Sequence, residues 1–174
     1  MFRSYTFSFE EVRPEIPVLM EYLQIPDSES YALVSEIVEK TFDELKDSKE
    51  IIGGYRVLDC PEVNMREGIV ACSAGYLHTG RKISGYMKGS GRIALFLCTA
   101  GKIFTGLSQA YQQNGDFLEA FVVESIGSAT VENAMDKVQQ YLEEDMTEQG
   151  KKITNRYSPG YCEWALSGQR DLFA

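Results

Sequence analysis

The stretch RYSPGYCEW, residues 156–164, follows a long segment of helical periodicity and suits neither a helix nor a central strand. It holds one Arg, a Pro-Gly pair, a Cys, the tyrosines Tyr157 and Tyr161, and the only Trp of the chain, Trp164. Each of these has a distinct chemical use. The guanidinium of Arg156 is a planar fork of donors that matches a carboxylate. Pro159-Gly160 makes a turn with exposed amide and carbonyl groups. The three rings offer faces for a flat heterocycle or a cation. Two readings follow. The stretch is a loop for a small zwitterion that carries an aromatic base, or it is a C-terminal segment pinned to the core by its rings, with Arg156 paired to a surface carboxylate. Composition alone leans to the second.

The rest of the chain narrows the setting. Its 174 residues suit a single domain with a real core, and 44% hydrophobic against 25% charged residues marks a globular chain. Lys and Arg number 17 against 26 Asp and Glu, a formal charge of −9. That balance argues against phosphate-neutralising nucleic-acid binding and against an anionic membrane surface. The opening MFRSYTFSFEEVRPE has no apolar run of the secretory kind, and IALFLCTAG (93–101) is too short to span a bilayer. A cytoplasmic protein is expected. Cys60, Cys72, Cys98 and Cys162 form no C-x-x-C pair, and His78 is the sole histidine, so no zinc spacing exists. Reduced thiols are expected, with Cys98 packed in an apolar strand. A hydrolase or thiol enzyme built on Cys162 or Cys72 would have to rely on His78, and no nucleophile motif surrounds any of the three.

Periodicity sketches an α+β chain. Tyr5, Phe7 and Phe9 alternate as in a short strand. A short helix is expected near 15–23, with Pro14 and Pro17 suiting its first turn and Pro26 as its stop. Ser28 is placed to cap an amphipathic helix with Tyr31, Val34, Ile37, Val38, Thr41, Phe42 and Leu45 on one face. IIGGYRVLDC (51–60) is strand-like, with a bend or bulge expected at Gly53-Gly54. EGIVACSAGYLHT (67–79) holds one or two strands. A helix is expected from Thr79, its cap, to Met87, followed by a buried strand through Ile93 to Cys98. Thr99 is expected to cap the next helix, which Asn114-Gly115 ends. The longest helix follows, with Gly150 as its stop. Its small-residue middle, SIGSAT (125–130), allows a helix or a ligand to approach closely, and tight helix packing alone accounts for it.

S-adenosylmethionine has the character that the opening stretch suits: carboxylate, ammonium, sulfonium and adenine. RYSPGY also resembles the Arg-x-x-Pro-Gly-Tyr motif of the activation domain of cobalamin-dependent methionine synthase, and the chain as a whole resembles the stand-alone relatives of that domain. HTGRKISGYMKGSGRIALFLCTAG (78–101) is similar to the family's basic helix, turn, apolar strand and Thr-x-Gly helix start. GDFLEAFVVESIGSATVE (115–132) is similar to its acidic, Ala-rich helix. The pieces run in the family's order from about residue 51.

The resemblance implies one C-shaped α+β domain of residues 1–174, built on a twisted antiparallel β-sheet flanked by helices. It implies a bound S-adenosylmethionine, a partner protein that carries cobalamin, and a flavodoxin-like reductant. Reductive remethylation of the oxidised corrinoid would be the result. Arg156 would hold the cofactor's carboxylate, Tyr157, Ser158, Pro159 and Gly160 would contribute backbone contacts, and Tyr161 would line the groove. Glu119 would supply an acidic contact. No catalytic residue or metal ligand is required of the chain, because cofactor and corrinoid carry the chemistry. After the motif the family usually continues into a further β segment that helps close the groove, and this sequence instead ends CEWALSGQRDLFA. The alternative expectation is therefore a scaffold that docks a corrinoid protein without S-adenosylmethionine.

Overall fold

The computed structural model describes residues 1–25, 28–60 and 62–173. Thirteen of the elements used below run in the order β1 (Phe2–Phe7), α1 (Phe9–Val12), α2 (Ile16–Tyr22), α3 (Ser28–Leu45), β2 (Ile51–Asp59), β3 (Glu62–Asn64), β4 (Ile69–Cys72), β5 (Gly75–His78), α4 (Gly80–Tyr86), β6 (Arg92–Thr99), α5 (Ile103–Asn114), α6 (Phe117–Thr147) and α7 (Gln169–Leu172). A 3-10 turn, Leu166–Gly168, precedes α7. The fold is mixed α+β. One sheet has the strand order β1-β2-β6, and the other is the antiparallel meander β3-β4-β5. Two compact units emerge. The first takes residues 1–3, 55–96 and 142 onward; the second takes 4–54 and 97–141.

The second unit is mainly helical. Phe9 was expected to extend the first strand, but it opens α1 instead. Ser8 and Glu11 form a capping box there, with the Glu11 carboxylate accepting the Ser8 N–H at 2.7 Å, and this switches the chain from strand to helix. Phe9 then packs edge-on to Phe42 of α3, ring centres 5.3 Å apart, and beside Phe104 of α5. Val34, Ile37, Val38, Thr41, Phe42 and Leu45 of α3 are buried as their spacing predicts, while Tyr31 is exposed. The expected stop at Pro26 lies outside the described residues, as does the Ser28 side chain expected to cap α3.

Gly53 does not bulge the chain; β2 runs unbroken through it. A Cβ built there would lie 2.7 Å from both Cys98 Sγ and Val138 Cγ2, so the glycine admits β6 and α6 at close range. The small-residue stretch of α6 serves the same end. A Cβ on Gly127 would meet the Phe104 ring at 3.1 Å. Close packing of α5 on α6 thus accounts for that stretch, and the Ser108 hydroxyl donates to Glu124 across the same contact at 2.8 Å. At the start of α6, Phe117, Leu118 and Phe121 are exposed. β6 departs from expectation: among the described residues it pairs on one side only, and it is buried only at Ile93. Its apolar run marks an edge strand, not a central one.

The first unit is built on the meander. Leu58, Cys60, Val70, Leu77 and Ile93 form its core, with Cys72, Met87, Leu95 and Leu172 packed against them. Tyr55 is buried and donates its hydroxyl to Asp145, whose Oδ2 also receives Arg3 Nε at 3.2 Å. These two donors, the Tyr55 hydroxyl foremost, hold the Asp145 carboxyl below the usual carboxylate range.

Candidate functional site: the C-terminal loop

Past Gly150, which closes α6 with a positive φ of 68°, the chain carries no regular structure until residue 166. It is held by side chains instead of a ladder. Pro159 is buried, while Arg156 and Ser158 before it are exposed. Gly160 has φ 98° and donates its N–H to the Trp164 carbonyl at 2.7 Å, which closes a tight loop. Cys162, at φ 54°, takes a left-handed conformation that few side chains adopt. The turn expected at Pro159-Gly160 is thus present.

The three rings divide. Tyr157 stacks on Tyr86 of α4, ring centres 5.6 Å apart and 18° from parallel. Trp164 is 4% exposed, with its indole N–H pressed against Gly168. Tyr161 alone is fully presented to solvent, at 69% exposure. Of the aromatic faces that the sequence offered to a ligand, two serve the fold and one is open. The pinning expected from composition is therefore real for Tyr157 and Trp164, and it leaves Arg156, Ser158, Gly160 and Tyr161 displayed around it.

Glu163 ties this loop to the start of α4. Its Oε2 accepts the backbone N–H of Arg81 at 2.9 Å and of Lys82 at 3.1 Å, two of the orphan donors at the start of α4. Thr79, expected to cap this helix, makes no side-chain cap bond; it is buried, with Oγ1 donating toward the Gly68 carbonyl at 3.4 Å. The carboxylate can approach because residue 80 is a glycine at φ 77°, whose missing Cβ would sit 2.6 Å from Glu163 Cβ. The second unit repeats the device. Gly101, at φ 77°, lets Glu50 close in, and Glu50 Oε2 accepts the Lys102 N–H at 3.1 Å where α5 begins. Thr99, the expected cap there, instead accepts the Gly101 N–H at 3.2 Å. The Thr-Gly-Arg-Lys and Thr-Ala-Gly-Lys runs thus start helices through glycine and a distant glutamate.

Farther along, Asp171 of α7 lies 3.4 Å from His78 Nδ1 on β5, and Leu172 packs on the meander core. The sequence-predicted residues Arg156, Tyr157, Ser158, Pro159, Gly160 and Tyr161 therefore come together on one anchored loop in the first unit. Glu119 lies on the first turn of α6, in the second unit. Sequence reasoning missed Gly80, Glu163 and Gly168, because each acts through a partner distant in sequence or an absent Cβ. The glycine after each threonine was the available signal.

Among the described residues, no cluster of three or more His, Cys, Asp or Glu side chains is disposed to hold a metal ion. No helix among them is long and apolar enough to cross a membrane. No protein-family model matches the chain, and no curated protein does either.

Proposed function

We propose that the chain is a stand-alone relative of the methionine synthase activation domain. In this reading it binds S-adenosylmethionine on the 156–161 loop and presents it to a cobalamin-bearing partner for reductive remethylation in the cytoplasm, with a flavodoxin-like protein as electron donor. The observation that carries this reading is the state of the loop. It is pinned at Pro159, Tyr157 and Trp164, yet it leaves Arg156, Gly160 and Tyr161 exposed within six residues of one another in sequence. A carboxylate on Arg156 and an adenine on Tyr161 use groups that the fold itself does not bury. Holding the loop on α4 through Tyr157 and Glu163 spares the ligand the entropy of ordering it.

A second reading rests on the same surface. Tyr161, Leu166 and Phe173 are large apolar side chains left exposed along the C-terminal segment. That surface suits a scaffold that docks the corrinoid protein without S-adenosylmethionine. The two are separated by measuring association with a methionine synthase fragment carrying cob(II)alamin, with and without S-adenosylmethionine. Cofactor-dependent association supports the first reading; association indifferent to it supports the second. No association in either condition contradicts both.

A further inference from the structure

Two of the four cysteines, Cys60 and Cys72, belong to one packed cluster and both are free thiols. The Ser73 N–H donates to the Asp59 carbonyl at 3.0 Å, so the end of β2 runs beside the end of β4. In an antiparallel pairing that bond is followed by the pair of Cys60, the residue just past β2, and Cys72, the last residue of β4, a pair that carries no hydrogen bonds of its own. The Cα atoms of such a pair lie ~4.5 Å apart, within the span of roughly 4.4–6.8 Å that a disulfide bridges. The Cys60 N–H turns the other way, to the Gly91 carbonyl at 3.0 Å. Side chains alternate along a strand, so Cys60 shares a face with Leu58 and Cys72 shares one with Val70. All four belong to the same packed cluster, which puts both sulfurs on the core side of the meander. Each thiol is close enough to the other for Cys72 to bear on Cys60 electrostatically, and both are free.

We propose that Cys60 and Cys72 are a redox-closable pair that forms a cross-strand disulfide by exchange with a low-molecular-weight disulfide. Cys72, the less buried of the two, attacks one sulfur of the external disulfide. Its S–H proton is lost to the medium, a mixed disulfide forms on Cys72, and one small thiolate departs. Cys60 then attacks Cys72 Sγ, its proton passing to the second departing thiolate. Two protein thiols are oxidised and one small disulfide is reduced to two thiols. The product ties the end of β2 to β4, on the core against which Leu172 of the C-terminal segment packs.

Trypsin separates the two cysteines, because Arg56, Arg66 and Arg81 bracket peptides 57–66 and 67–81. The folded full chain is incubated with glutathione disulfide, alkylated, digested without reduction and mapped by mass. The expected result is a 57–66/67–81 linked species, two hydrogens lighter than the summed peptides and lost on reduction, with exposed Cys162 carrying glutathione as evidence that exchange took place. In Cys72→Ser, Cys60 stays an alkylatable thiol under the same treatment. The proposal is overturned if Cys162 is modified while Cys60 and Cys72 remain thiols. It is equally overturned if Cys72 stops at the glutathione adduct, or if Cys60 takes up glutathione in Cys72→Ser. The mapping of the unmutated chain decides the question even where the variant fails to fold.

Discussion

Glu163 accepts two N–H groups at the start of α4 through a gap left by the absent side chain of Gly80. The relationship fixes where the RYSPGY loop sits, since Glu163 follows Tyr161 by two residues. Glu163→Ala is expected to cost about 1 kcal/mol, the usual worth of a helix cap. Hydrogen exchange should quicken at the Arg81 and Lys82 amides and through 156–164. Gly80→Ala should cost more. It forces a left-handed alanine, at about 1–2 kcal/mol, and drives a methyl into Glu163. Urea unfolding of both variants measures the order, and equal losses would speak against it.

Gly168 and Trp164 make the second lock. A methyl group on Gly168 collides with the indole nitrogen. Gly168→Ala is expected to cost about 1–3 kcal/mol by overpacking and to shift Trp164 emission to the red as the ring is pushed toward water. Because Trp164 is the only tryptophan, the emission spectrum reports this one contact.

Gly53→Ala tests the reading of β2 as a close-packed strand. With Cys98 Sγ and Val138 Cγ2 each 2.7 Å from the new carbon, a loss of about 1–3 kcal/mol is expected. Gly115→Ala, with open space around it, should lose only what its left-handed φ of 88° demands. The thermal unfolding midpoints of the two variants make the comparison.

Asp145 predicts an acid response. Its carboxyl sits below the ordinary value of about 4 in the folded chain, held by Tyr55 and then Arg3. A group with a depressed folded-state pKa stabilises the protein above its unfolded value, and that stabilisation fades as pH falls through the folded one. The stability gap between the unmutated chain and Asp145→Asn should therefore be full at pH 7 and should close as pH falls below about 4. Urea unfolding at several pH values checks this, and a gap that widens in acid would contradict it.

Much of the fold was legible in the sequence where a single element decides its own structure. The α3 face from Val34 to Leu45, the positive-φ stops at Gly115 and Gly150 and the two strands in 67–79 all follow from local periodicity and turn chemistry. The errors share a cause. Thr79 and Thr99 looked like caps because threonine caps locally, but the acceptors came from Glu163 and Glu50, 84 and 49 residues away in the numbering. Gly53 looked like a bulge because its neighbours in space were not visible in one dimension. The candidate loop was legible as a composition, and its turn at Gly160 as a conformation. The division of its rings into buried Trp164, stacked Tyr157 and open Tyr161 depends on Gly168 and Tyr86, which nothing within the loop announces.

The central claim, that the 156–161 loop holds S-adenosylmethionine, is met most directly by calorimetric titration of the cofactor into the unmutated chain and into Arg156→Ala and Tyr161→Ala. The account predicts saturable one-site binding, weakened at least tenfold in each variant while their unfolding midpoints stay within a few degrees of the parent. Absence of heat and of any saturable signal with the unmutated chain, or equal affinity in all three proteins, would contradict it.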